Sequence, residues 1–238
     1  TEPNGLDGQD ADFINNQTTS SNEAGRFALY WSQSKPGTFE AEVMTDQVLA
    51  DTTPGPSGAA YNAWYSCPLK TAAACLLDPY IDQVNDQTVL MTSVALPLQD
   101  GGKVIGVIGI DISLAALQAL AESANRNLYE GQGDISFISP AGLLAAHTRD
   151  AAQLGKPMDN ADQTQASALR QALQAGQPSV VSSEQSIGVM QPVQPIPGAK
   201  TWGILIQAPK PVVLTRALAL ADTPVSYTHL RAHETRGN

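Results

Sequence analysis

Apolar positions are scattered and aperiodic over the first 25 residues, which are rich in Asn, Asp and Gly. That stretch reads as irregular, like a chain entered mid-domain. The pattern then sharpens. Residues 26–31 (RFALYW) and 38–44 (TFEAEVM) read as two strands around a Ser-Lys-Pro-Gly turn. A short helix is expected before the Thr-Thr-Pro-Gly-Pro-Ser-Gly loop, and the aromatic cluster Tyr61, Trp64, Tyr65 follows it. The clearest signal comes next: residues 89–98 (VLMTSVALPL) and 103–112 (KVIGVIGIDI) are β-prone apolar runs joined by Gln-Asp-Gly-Gly, a hairpin with a glycine turn. Ser113 then caps a helix in which Leu114, Leu117, Leu120 and Ala121 recur at helical spacing.

A second unit opens near Gly133. Residues 134–138 and 143–148 predict another hairpin around Ser-Pro-Ala-Gly, and a helix over 165–175 stops at Gly176, a residue suited to a C-cap. Residues 180–183, 187–193 and 202–208 supply further strands. The order of elements predicts an α+β protein of two tandem modules with antiparallel sheets, over residues 1–125 and 126–220. Beyond Leu220 the apolar period disappears and His and Arg crowd together. Residues 221–238 are therefore expected to be a non-native tail. From Val225 onward the tail resembles a translated adapter read-through. Setting it aside removes His229 and His233 and leaves His147.

Composition narrows the function. With 42% hydrophobic and 15% charged residues the chain is globular rather than disordered. Its net charge of −10 is unevenly placed: residues 1–111 hold 14 Asp/Glu against four Lys/Arg, and residues 112–238 hold nine of each. The first half therefore repels nucleic acid and anionic membranes and attracts cations. No apolar run approaches the ~20 residues of a membrane span. Cys67 and Cys75 lie at a spacing wrong for a zinc knuckle, so a local disulfide in an oxidising compartment is favoured over two free thiols.

Catalytic chemistry is thin. One histidine and one cysteine pair do not build a Ser-His-Asp or Cys-His site, and no HExxH, CxxC, GxSxG or dinucleotide fingerprint occurs. His147 reads as a half-buried strand residue. Neither a cofactor nor a metal is expected. Asp111 stands out because it interrupts an apolar strand, sharing a face with Ile105, Val107 and Gly109 by alternation. A carboxylate there needs a cationic or hydrogen-bonding partner. It serves either as a cap for the following helix or as part of a site.

The Gly25-Arg26-Phe27 and Tyr30-Trp31 strand, Trp64-Tyr65, Pro79-Tyr80-Ile81-Asp82 and Ile108-Gly109-Ile110-Asp111-Ile112-Ser113-Leu114 together resemble the double Cache (dCache) sensor domain of methyl-accepting chemotaxis receptors. The resemblance covers roughly residues 5–215. It implies two PAS-like modules behind a long N-terminal helix that this fragment lacks, with ligand in the membrane-distal first module. It also implies a periplasmic domain of a receptor in a bacterial inner membrane, homodimeric when full length and anchored by flanking helices absent from this chain. Amino-acid sensors of the family carry an Arg two positions before the Trp of the Trp-Tyr pair; Asn62 stands there, and no Arg occurs between residues 27 and 125. Tyr80, Asp82 and Asp111, the amine half of that motif, are intact. The stretch is also similar to amine-binding members, for which Glu42 is the matching acid and Glu40 its less favoured neighbour. The resemblance thus implies a small cationic amine, such as a polyamine or histamine, held by Glu42, Trp64, Tyr65, Tyr80, Asp82 and Asp111. Alternatives are a dCache sensor of a histidine kinase or cyclic-dinucleotide enzyme taking amino acids or purines, a free periplasmic binding protein and, more distantly, a periplasmic hydrolase.

Overall fold

The computed structural model describes residues 1–35, 37–158 and 163–221. The segment read as a non-native tail, 221–238, lies outside the described residues from 222 onward. The fold is α+β, built on antiparallel sheets.

Strands β1 (Leu29–Lys35) and β2 (Thr38–Val43) form a hairpin of their own, with Tyr30 opposite Glu42 and Ser32 opposite Glu40. The first strand starts three residues later than its apolar run suggested. Arg26 explains the delay, because the residue is only 5% exposed and its guanidinium is drawn inward to Asp46, the Glu2 carbonyl and the Tyr65 hydroxyl. Just before it, Gly25 turns the chain at φ +84°, where a Cβ would lie 1.7 Å from the Asp10 carbonyl oxygen. Only glycine fits there.

Helix α1 (Asp46–Ala50) is the short helix expected before the Pro-Gly loop; Val48 N–H donates to the Thr45 hydroxyl at its N-terminus. Helix α2 (Ala63–Thr71) carries Trp64 and Tyr65 and was not legible in the sequence, since Pro68 interrupts its pattern. A disulfide between Cys67 and Cys75 ties α2 to β3 (Cys75–Leu76), with 6.3 Å between the Cα atoms.

The main sheet of the first module centres on β5 (Gln87–Asp100). On one side β5 pairs with β3 and β4 (Tyr80–Val84), and on the other with β6 (Lys103–Ser113). Gly101 and Gly102 both have positive φ, 55° and 83°, as a two-residue hairpin turn requires. A bulge at Leu98/Gln99 shifts the register near that turn.

Helix α3 (Leu114–Asn127) leaves β6 directly, with Ser113 accepting from Ala116 N–H at 3.3 Å. Its buried stripe is Leu114, Gln118 and Ala121, whereas Leu120 is exposed. The second sheet runs β8 (Leu144–His147), β7 (Asp134–Ile138), β11 (Trp202–Pro209), β10 (Ser186–Val193), β9 (Ser179–Ser182). Helix α4 (Gln163–Ala175) covers it with Leu169 and Leu173, and Gly176 at φ +62° ends the helix. Helix α5 (Lys210–Ala221) follows β11.

The modules share a core. Leu114 at the head of α3, with Leu76 and Leu90 of the first sheet, packs against Ala145, Trp202, Phe137, Leu154 and Val193 of the second.

Candidate functional site

Register and alternation gather a set of polar side chains on one face of the first sheet. Ser93 is paired directly with Asp111 across β5 and β6. Tyr80 is opposite Met91 and Asp82 opposite Val89, so both project to the face that Ser93 and Asp111 occupy. The β1–β2 hairpin brings the rest. Tyr30 and Glu42 share one face of it, and the Ser32 hydroxyl bonds Asn85 in the β4–β5 turn at 2.9 Å, docking the hairpin against the sheet.

The hydroxyls are aimed at the carboxylates. Ser93 donates its single proton to Asp111, which leaves its oxygen to accept from the Tyr80 hydroxyl at 2.6 Å. The Tyr30 phenol faces the charges of Asp111, Asp82 and Glu42, and Tyr61 donates to Asp82. The rings of Tyr61 and Tyr80 meet edge to face, 6.3 Å between centroids. Burial, reinforced by the charge of Asp111, pushes the Tyr80 and Tyr30 phenols far above the usual tyrosine range. Burial and the bond to Asp82 do the same for Tyr61. All three therefore remain neutral donors.

No cation meets this cluster among the described residues: the two ion pairs there are Arg26–Asp46 and Arg149–Asp134, both elsewhere. Glu42, Asp82 and Asp111 thus present negative charge met by neutral donors alone, the Ser93 and Tyr61 hydroxyls and the Gln83 N–H at 2.7 Å from Asp82. A cavity of about 220 Å³ touches this cluster at Tyr61 and Tyr80 alone and is lined also by Asp51, Pro54, Asp78 and Ile81, the three carboxylates lying outside its lining. Pockets for drug-sized ligands run roughly 300–1,000 Å³, so an occupant of this one is small.

The structure brings Glu42, Tyr80, Asp82 and Asp111 together, and Trp64 and Tyr65 pack on Ala95 and Val107, further along the same face of the sheet. Tyr65 is buried with Ala28, Leu49, Ala95 and Val107, its hydroxyl donating to the Glu2 carbonyl at 2.9 Å. The Arg26 guanidinium carbon lies 5.4 Å from the centre of its ring. Trp64 packs on the same core. Asn62 is buried at the N-terminus of α2, its amide donating to the Leu49 carbonyl at 2.8 Å, so it holds α1 to α2. Tyr30, Tyr61 and Ser93 were not singled out as site residues from the sequence. Ser93 was the findable one, a polar residue inside an apolar strand, but its pairing with Asp111 depends on register. Among the described residues no group of three His, Cys, Asp or Glu could hold a metal ion.

Comparison with known proteins gives this arrangement a context. Residues 9–119 match the family model described as methyl-accepting chemotaxis protein-like, first PDC sensor domain. The chain superposes on a solved structure titled methyl-accepting chemotaxis protein X with a TM-score of 0.65 at 25% identity, covering 88% of this chain and 72% of that one. The fold is that of a chemoreceptor sensor domain. The chain is also 52% identical over 219 residues to methyl-accepting chemotaxis protein TlpQ of Pseudomonas aeruginosa, covering 92% of this chain but 31% of that protein, about a third of its length. The same fold occurs in the extracellular domain of a histidine kinase, mmHK1S-Z3, with a TM-score of 0.70 at 19% identity over 92% of this chain and 74% of that one. No helix of the described residues is long and apolar enough to cross a membrane.

Proposed function

We propose that this chain is the periplasmic ligand-binding part of a methyl-accepting chemotaxis receptor, and that its ligand is a small cationic amine. One observation carries the second half: three carboxylates converge, two of them with hydroxyl partners, and no guanidinium or ammonium of the described residues pairs with them. An ammonium ~4 Å from a carboxylate gains about 4 kcal/mol at an effective dielectric of ~20, before desolvation. The tyrosine faces add roughly 0.5–2 kcal/mol by cation–π attraction. An amino acid would bring a carboxylate into the same field, and Asn62, standing where an arginine would meet it, is bonded to Leu49. In the full-length receptor the domain would act as a homodimer anchored by flanking segments, and the site would bind without turnover.

Titration calorimetry with putrescine, histamine, an aliphatic amino acid and adenine tests the reading. Heat of binding is expected for an amine, with Asp111→Asn weakening it roughly 10- to 150-fold through the loss of one charge-assisted hydrogen bond. Binding of the amino acid or adenine with silent amines would overturn it.

A further inference from the structure

Two side chains close in sequence to the carboxylate site, Asp78 and Gln118, end on the backbone of one hairpin in the second module. Asp78 lies two residues before Tyr80 and lines the cavity. Its Oδ1 accepts from Ala141 N–H at 2.8 Å, in the turn between β7 and β8. Asp111 lies two residues before Ser113, the cap of α3. About 7.5 Å further along that helix, at ~1.5 Å per residue, comes Gln118. Its amide donates to the His147 carbonyl at 3.1 Å and accepts from the His147 N–H at 2.8 Å. His147 closes the edge strand β8, so this amide fills the place of a neighbouring strand. Its nitrogen also donates to Glu122 at 2.8 Å, and the side chain is 7% exposed.

We infer that Asp78 and Gln118 are paired couplers that pass the state of the carboxylate site to the β7–β8 hairpin. The inference rests on the proposed function only for the identity of what enters the site. Helix α3 is a stiff extension of β6, and a buried amide bonded to the backbone at two points cannot slide without breaking both bonds. A shift at Asp111 is therefore delivered to β8. A cation in the cavity meets the Asp78 carboxylate, which then divides its charge between that cation and Ala141 N–H. Coupling between two sites requires that these contacts differ between the empty and the filled site, and that difference is what the inference assigns to them.

Amide hydrogen exchange on the whole chain tests this without a ligand. Asp111→Asn is expected to change exchange within residues 139–147 about fivefold or more, the low end of couplings between sites. The change is expected to vanish when Asp78→Ala and Gln118→Leu are combined with it. Peptides from β9 and β10 serve as the internal reference, so that a general loss of stability is not mistaken for coupling. If the doubly altered background does not fold, Asp78→Ala alone is expected to remove the part of the change at Ala141. No change within 139–147 in Asp111→Asn, or a change of the same size without the couplers, overturns the inference. A parallel arm adds putrescine under calorimetry. Silence there counts against the amine reading, and the ligand-free exchange still decides the coupling.

Discussion

Asp111 shows how one side chain acquires its meaning from neighbours on three strands. Asparagine at this position keeps the shape and can still accept from Ser93, so the free protein is expected to melt within a degree or two of the original while amine affinity falls. A residue that only capped α3 would give the reverse, a lower melting temperature with affinity intact, and a melting curve beside the titration separates the two. The tyrosines give a second test at this scale. Burial raises the Tyr30, Tyr61 and Tyr80 phenols above the value of about 10 that an unfolded tyrosine shows. From about pH 10 upward the unfolded chain therefore loses protons that the folded chain keeps. Stability is expected to hold up to that pH and fall beyond it. Urea midpoints at successive alkaline pH values measure the decline, and Tyr80→Phe is expected to make it shallower.

Among the elements, α2 and the β5–β6 hairpin stand at opposite ends of legibility. The hairpin was readable because two apolar runs flank a pair of glycines, and both glycines adopt positive φ. Helix α2 was not, since Pro68 and an aromatic cluster obscure any helical period. Strand β4 was missed for a different reason: YIDQV is five residues with exposed Ile81 and Gln83, and pairing with β5 is what makes it a strand. The disulfide fixes α2 to β3 and so holds the Trp64–Tyr65 core against the sheet. Closing its short loop is worth roughly 2–3 kcal/mol in the chain-entropy model. Cys67→Ser with Cys75→Ser is expected to lose about that amount in urea unfolding, and thiol titration of the unreduced, denatured protein is expected to find no free thiol. Gly25→Ala is expected to cost more than an ordinary loop substitution, because a Cβ would collide with the Asp10 backbone.

The whole molecule is organised around the core shared by Leu114, Leu90, Trp202 and Ala145. Both sheets contribute to it, so neither module completes its packing alone. Scanning calorimetry is expected to give one transition, with calorimetric and van't Hoff enthalpies in agreement. Leu114→Ala, which empties a fully buried position, is expected to lower that single transition at a cost of about 2–5 kcal/mol. Two separate transitions, with only one moved by the substitution, would show that the modules fold independently. The shared core also gives α3 a rigid seat, without which Gln118 could not report the position of β6 to β8.

The sequence by itself determined the α+β class, the run of strands after Gly133, the helix ending at Gly176 and the acidic excess of the first half. Each of these follows from local causes: periodicity, turn residues, and an acidic first half with few bases. It also singled out Glu42, Tyr80, Asp82 and Asp111, which the fold gathers. Tertiary structure alone decided that Tyr30, Tyr61 and Ser93 complete the hydroxyl set, because strand register and the docking of one hairpin on another sheet are non-local. It alone sent Tyr65 into the core with Arg26, since a buried guanidinium needs several partners and the fold supplies them there. It alone put Gln118 rather than Leu120 on the buried side of α3. A helical period ranks leucine above glutamine for burial, but the open edge of β8 required an amide that could satisfy both a backbone N–H and a carbonyl.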